Sequence, residues 1–260
     1  MANPKTCKNC NHSFEGNYCN ECGQAVIEQF NLRYVWGLLH QDLFEFDRGL
    51  WRTIKDLTIK PGHMIREYLN GRTKPYYSSI KYLLFTIAFF YIINSFFDGG
   101  AETEISSSNW KDEFIFNSSG EFSMETIQDL LGLLLVLTSQ NLSLYFLLLL
   151  PFVALVTKVT NKNQTYTEYL ITWAFLWGQV IVFNIILTPL YEYLEVLITP
   201  LLFVVLVTMI FYFTVTFKQL TGQSWIKSLL KVLITFYGGI FLFFGTALLA
   251  LILFKLIFVN

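Results

Sequence analysis

The chain has 260 residues, of which 54% are aliphatic or aromatic and only 14% charged, against roughly 25% charged in an ordinary soluble domain. That balance excludes a soluble globular class and points to an all-α integral membrane protein. Eighteen Lys and Arg against nineteen Asp and Glu leave a net charge of −1, so no nucleic-acid partner is expected.

All four cysteines lie within the first 22 residues, as Cys7-Lys8-Asn9-Cys10 and Cys19-Asn20-Glu21-Cys22. Two residues between cysteines let one tight turn offer both sulfurs to a single ion, and the eight residues between the pairs let two such turns complete a tetrahedron. Residues 1–28 therefore read as a zinc-ribbon knuckle, with Cys7, Cys10, Cys19 and Cys22 as ligands of a structural Zn2+. Its binding energy of about 10–16 kcal/mol replaces a hydrophobic core that so short a segment cannot build. Gly23 suits the positive φ of such a knuckle. A redox dithiol is the rival reading, but one CxxC suffices for that chemistry. His12 is an alternative ligand to one sulfur. No basic n-region with a short apolar core opens the chain, so no cleaved signal peptide is expected.

Residues 29–81 are read as cytosolic amphipathic and interfacial helices. Leu50, Trp51, Ile54, Leu57 and Thr58 are assigned to one helical face and Arg48, Arg52, Lys55 and Asp56 to the other. Asp47 is the expected N-cap and Pro61-Gly62 the stop. A second short helix is expected over 63–69, closed by Asn70-Gly71 as a left-handed C-cap. A basic helix carrying Trp suits the anionic headgroup layer of the lipid bilayer. The alternative is that its apolar face packs on the protein's own spans.

The order of these parts resembles an uncharacterised bacterial membrane-protein family, domain of unknown function 3667. The resemblance rests on a CxxC…YCxxCGQ ribbon, then FxFDxGLWxTIxxL from Phe44, then KPGxxIREYLNGRxKxYY from Lys60. It covers Cys7 to about Phe85, and departs from the family pattern where Ser78-Ser79-Ile80 stands in place of a proline before the first span. It implies a fold and a bacterial inner (cytoplasmic) membrane address, and no activity.

Residues 82–260 form the membrane domain. About 20 apolar residues cross the hydrocarbon, and five stretches qualify: 82–97, 142–156, 169–187, 196–217 and 232–258, with an interfacial piece over 130–138. With the N-terminus cytosolic, sixteen of the eighteen bases fall on cytosolic segments, leaving Lys111 and Lys255 outside, as the positive-inside rule requires. An acidic loop at 98–129 and the C-terminus then lie outside, and the cysteines sit in a reducing compartment that keeps thiolates available for metal.

Intramembrane chemistry needs ionisable groups in the spans, and these spans carry almost none. No phosphate loop, HExxH or GxSxG occurs, so no enzyme activity and no catalytic residue is expected. The leading reading is a membrane scaffold or adaptor that binds a cytosolic protein partner, with room for a homo-oligomer. The alternative is a small transporter, channel or lipid-handling protein, with a cavity at Asn94, Gln179, Asn184, Pro189 and Pro200. A third reading, a lipid-modifying enzyme, uses Arg66, Glu67 and Arg72.

Overall fold

The computed structural model describes residues 4–27, 30–39, 49–97, 142–193 and 198–258. The expected N-cap Asp47, together with Arg48, the acidic loop at 98–129 and the interfacial piece at 130–138, lies outside the described residues.

A two-stranded antiparallel sheet, β1 (Lys5–Thr6) and β2 (Ser13–Phe14), pairs Lys5 with Phe14 and Thr6 with Ser13. Eight helices follow among the described residues: α1 (Leu32–Leu39), α2 (Gly49–Ile59), α3 (Pro61–Leu69), α4 (Ser79–Phe97), α5 (Leu142–Thr160), α6 (Tyr166–Tyr193), α7 (Ile198–Thr221) and α8 (Trp225–Phe258).

Four of these, α4, α6, α7 and α8, are long and apolar enough to cross a membrane, while α5 supplies a shorter apolar stretch, Tyr145–Thr160. The protein is thus a mostly helical, multi-pass membrane protein. Of the five expected spans, four meet the length and composition required. The fifth packs between α6 and α8, where Trp173 Nε1 donates to Thr157 Oγ1 at 2.8 Å and Val153 lies where a side chain on Gly239 would fall.

Helix α6 is the hub. Two thirds of its membrane-length window is buried (67%), against 17% for that of α8. Its buried run from Tyr169 to Ile181 includes Trp173, Phe175 and Trp177, which explains why its polar and apolar residues show no single-sided pattern: neighbours cover it on several sides. Gly178 admits the ring of Tyr82, whose Cδ1 would lie 2.6 Å from an added Cβ. Helices α4 and α6 therefore run side by side in the same direction, with Asn94 meeting Thr188 near their far ends.

Two prolines stand inside helices. Pro189 does not end its helix, because α6 continues to Tyr193, and Pro151 sits inside α5. Neighbouring helices can re-satisfy the carbonyl that each proline frees. Pro200 stands in the first turn of α7, where a missing N–H is harmless.

The face assigned to α2 is also corrected. Leu50, Thr53 and Leu57 are its buried residues, whereas Trp51 is 77% exposed and Thr58 is exposed. The buried arc centres on Leu57 and Leu50, and Trp51, about 100° round from Leu50, falls outside it. The helix uses its apolar face on its own spans, as the alternative reading had it.

Candidate metal centre and its membrane dock

Each cysteine pair forms one tight knuckle, and the two are built alike. In the first, the Cys7 N–H donates to His12 O (2.9 Å) and the Asn11 N–H to Cys7 O (3.0 Å); in the second, Cys19 N–H donates to Gln24 O (2.9 Å) and Gly23 N–H to Cys19 O (2.8 Å). The turn residues Asn11 (φ 60°) and Gly23 (φ 69°) occupy the same left-handed position. Glycine does this without strain and asparagine is among the few residues that tolerate it. Gly23 was legible from sequence and Asn11 was not. His12 contributes its backbone carbonyl and is not among the converging ligand atoms.

The four sulfurs all lie within 4.8 Å of one another, with Cys7 Sγ 3.5 Å from Cys22 Sγ and Cys10 Sγ 3.6 Å from Cys19 Sγ. Bonds of about 2.3 Å to a tetrahedral ion imply sulfur separations of about 3.8 Å. The donor set therefore fits a thiophilic ion without rearrangement, and four thiolates select a soft or borderline metal. The electrostatics agree. The Asn9 side chain holds the Cys22 thiol down to about 6. At Cys10 the His12 backbone pulls the other way, but desolvation and the three neighbouring sulfurs outweigh it and push the thiol up to about 12. Crowded thiolates repel one another, and a divalent cation at their centre removes that repulsion. Among the described residues of the ribbon, Phe14 is the one buried hydrophobic side chain beyond the cysteines, packed against Cys7 and Cys19.

The knuckles rest on the turn between α3 and α4, residue against residue. Lys8 lies where a Cβ on Gly71 would fall, 2.8 Å from its Cδ. Arg72 Nε donates to Asn9 Oδ1 at 3.3 Å. Gln24, buried at the base of the ribbon, donates through Nε2 to Thr73 Oγ1 and accepts from the Lys74 N–H, both at 2.8 Å. Sequence reading passed over Gln24. Its only signal was a position directly after the second knuckle in the CGQ triplet.

From this turn the contacts continue into the bundle. Gly71, at φ 94°, ends α3 as expected, although α3 begins at Pro61 and not at His63. Glu67 Oε2 accepts from Tyr76 Oη at 2.9 Å and from Arg72 Nη1 at 3.1 Å. Burial and then Glu67 push the Tyr76 phenol up to about 12. Arg66 Nη2 donates to Leu220 O at 2.8 Å and also to Gln219 O, at the C-terminal end of α7 where carbonyls lack helical partners. Gly62 lies flat on the same end, its N–H donating to Gln219 Oε1 at 2.9 Å, and an added Cβ would stand 2.4 Å from Gln219 Cβ.

The last turn of α2 reaches among the spans. Leu57 O accepts from Tyr212 Oη at 3.1 Å. Thr58 Oγ1 accepts from Gln179 Nε2 at 2.9 Å, and Gln179 Oε1 accepts from Tyr82 Oη at 2.6 Å. Of the residues expected to line a transport cavity, Gln179 is sealed in this chain of bonds, whereas Asn94 and Asn184 meet at Thr188, whose hydroxyl donates to Asn94 Oδ1 and to Asn184 O, and the Asn184 amide donates to Val180 O. Arg66, Glu67 and Arg72 are likewise held in structural bonds.

Residues 47–91 match the model of a family described as protein of unknown function (DUF3667). The matched stretch contains α2, α3, their turn into α4 and most of α4, which together make every contact just described between the ribbon's dock and the bundle. No curated protein and no solved structure matches the chain.

Proposed function

We propose that this protein is a non-enzymatic scaffold or adaptor of the bacterial inner membrane, whose zinc-folded N-terminal ribbon is held on the cytosolic face to bind a protein partner. The observation that carries this reading is the continuous line of polar contacts from the knuckles, through Gln24 and residues 71–74, to Arg66 and Gly62 on the end of α7. Such a line fixes the ribbon's position on the membrane domain and leaves its outer face free. Tyr18 is an exposed aromatic of the ribbon, in an open groove that it shares with Arg33 and Tyr34 of α1.

Zinc is the favoured metal because four thiolates in a closed tetrahedral set form a structural site with no open position for chemistry. The cytosolic assignment is supported by charge. The α5–α6 and α7–α8 turns share the end of the bundle that carries α3, as the contact between Lys231 and Asn161 and those of Arg66 on α7 require, and these turns with the helix ends that flank them hold Lys158, Lys162, Lys218 and Lys227.

Deletion of residues 1–28 followed by in-cell crosslinking tests the reading. Loss of the captured partner from a membrane-inserted, correctly folded variant is expected. Unchanged capture overturns the adaptor role.

A further inference from the structure

Helices α6 and α7 are consecutive and both are long enough to span a membrane, yet their backbones stand apart, bridged by the rings of Trp173 on Phe213 and Phe217 and of Phe183 on Tyr212. The α2–α3 hairpin reaches into this gap. Helix α3 packs along the end of α7 while α2 packs on α6, and the bonds of Leu57 to Tyr212 and of Thr58 to Gln179 fix the hairpin between them. Beyond the hairpin the two helices leave a cleft of about 350 Å³, lined by Val180, Phe183, Leu187, Val204, Thr208 and Met209 among others, with almost no polar surface.

We propose that this cleft is a binding site for one hydrocarbon tail of a membrane lipid. The cleft lies along the flanks of two membrane-length helices, and Ile186 and Val204 at its rim are 69% and 56% exposed, so it opens sideways toward hydrocarbon. Water is a poor occupant, because a buried water needs two to four polar partners. Asn184, the one amide at the wall, already spends one of its two N–H donors on Val180 O. On the α7 side Val204, Thr208 and Met209 fall within about one and a half turns of one another beside the Tyr212 ring, and the thioether can adapt to a chain laid along them. The volume falls at the low end of small-ligand sites, about 300–1,000 Å³. Nothing in the lining recognises a headgroup, so selection is by tail.

The full chain, purified in mild detergent, is examined by native mass spectrometry, and in nanodiscs by crosslinking with a phospholipid that carries a diazirine in its tail. One retained lipid per chain is expected, with crosslinks concentrated on cleft residues of α6 and α7. Thr208→Trp fills the cleft and is expected to lower lipid occupancy about tenfold, whereas Val207→Trp, on the exposed flank of α7 and outside the lining, leaves it unchanged. Absence of retained lipid, equal loss in both variants, or crosslinks spread evenly over exposed positions such as Phe203 and Phe211 overturns the proposal. A dimer in nanodiscs with no lipid crosslinks in the cleft means that a second copy fills it and overturns the proposal as well. The crosslinking arm uses the unaltered chain, so it decides the matter even where Thr208→Trp fails to fold.

Discussion

The guanidinium of Arg66 reaches across from α3 to the carbonyl of Leu220, 2.8 Å away on the last turn of α7. A cation at a helix C-terminus meets the negative end of the macrodipole and satisfies carbonyls that have no partner within the helix. One residue thereby joins the hairpin to the end of a membrane helix that lies more than 150 residues away in sequence.

Replacing Arg66 with Ala is expected to cost about 1–2 kcal/mol, the range for a charge-assisted contact of this exposure. Arg66→Lys should recover only part, because an ammonium lacks the fork that addresses adjacent carbonyls. Gly62→Ala acts on the same junction by overlap with Gln219 and should cost about 1–3 kcal/mol. Thermal unfolding in detergent reads all three, and a Gly62→Ala protein as stable as its parent contradicts the close approach.

Metal analysis of the purified chain is expected to give one zinc per chain. Cys19→Ser should abolish it, since Cys19 is buried at the centre of the ribbon and a lost ligand leaves three thiolates around the ion. Strong chelators should then unfold the ribbon while the helices remain, because binding energy of about 10–16 kcal/mol is most of what folds it. A metal-free chain with a protease-resistant N-terminus runs against this assignment.

Gln24→Ala separates metal binding from docking. The side chain touches no cysteine sulfur, yet it makes both bonds to Thr73 and Lys74. Metal content should stay at one, while amide exchange at residues 71–76 rises. Unaltered exchange there means that the ribbon sits on the bundle through other contacts.

How much of this was readable from sequence depends on range. The knuckles were legible because their ligands lie within sixteen residues of one another, and the spacing itself encodes the turn. The long helices were legible because hydropathy alone reports them. The dock was not, because Gln24, Arg66 and Gly62 act on residues 49, 154 and 157 positions away, and no local pattern marks a partner at such distance. Asparagine at a left-handed turn looks like any surface asparagine, which hid Asn11. The face of α2 was misread for a related cause: Trp51 is the most apolar-looking residue of its turn, but burial follows the arc centred on Leu50 and Leu57, and Thr53 enters that arc because its hydroxyl accepts from the Tyr77 N–H at 2.8 Å.

Topology offers a further test, because α5 decides parity. With α5 crossing the bilayer, Lys227 shares a side with Cys7, and the loop after α4 lies opposite. Thiol labelling of intact cells, with single cysteines introduced at Lys227 and Ser107 in a chain whose metal site is intact, is expected to modify position 107 and spare position 227. Protection of position 107 reverses the orientation, and labelling of both shows that α5 does not cross.

The last expectation concerns the outer side of α2. Arg52 is engaged, paired with Asp56 at 3.6 Å and stacked over the Tyr76 ring at 5.4 Å, and Leu50 and Leu57 are buried in the protein's own core. The helix therefore stays in place whatever the lipid. What it leaves outward is Trp51, Lys55, Ile59 and Lys60, two cations beside two apolar side chains. If these meet anionic headgroups, Lys55 and Lys60 each contribute about 1 kcal/mol of attraction that decays within a Debye length. Amide exchange across residues 55–60 of the full chain is then expected to be slower in nanodiscs of anionic lipid than in neutral ones. Raised salt, or the pair Lys55→Glu and Lys60→Glu, should remove that difference without altering unfolding temperature, since neither side chain is buried. Equal protection in neutral and anionic lipid assigns the contact to Trp51 and Ile59 alone. Exchange that is fast in both means that this side faces water, and the hairpin then serves only as the mount that joins ribbon to bundle.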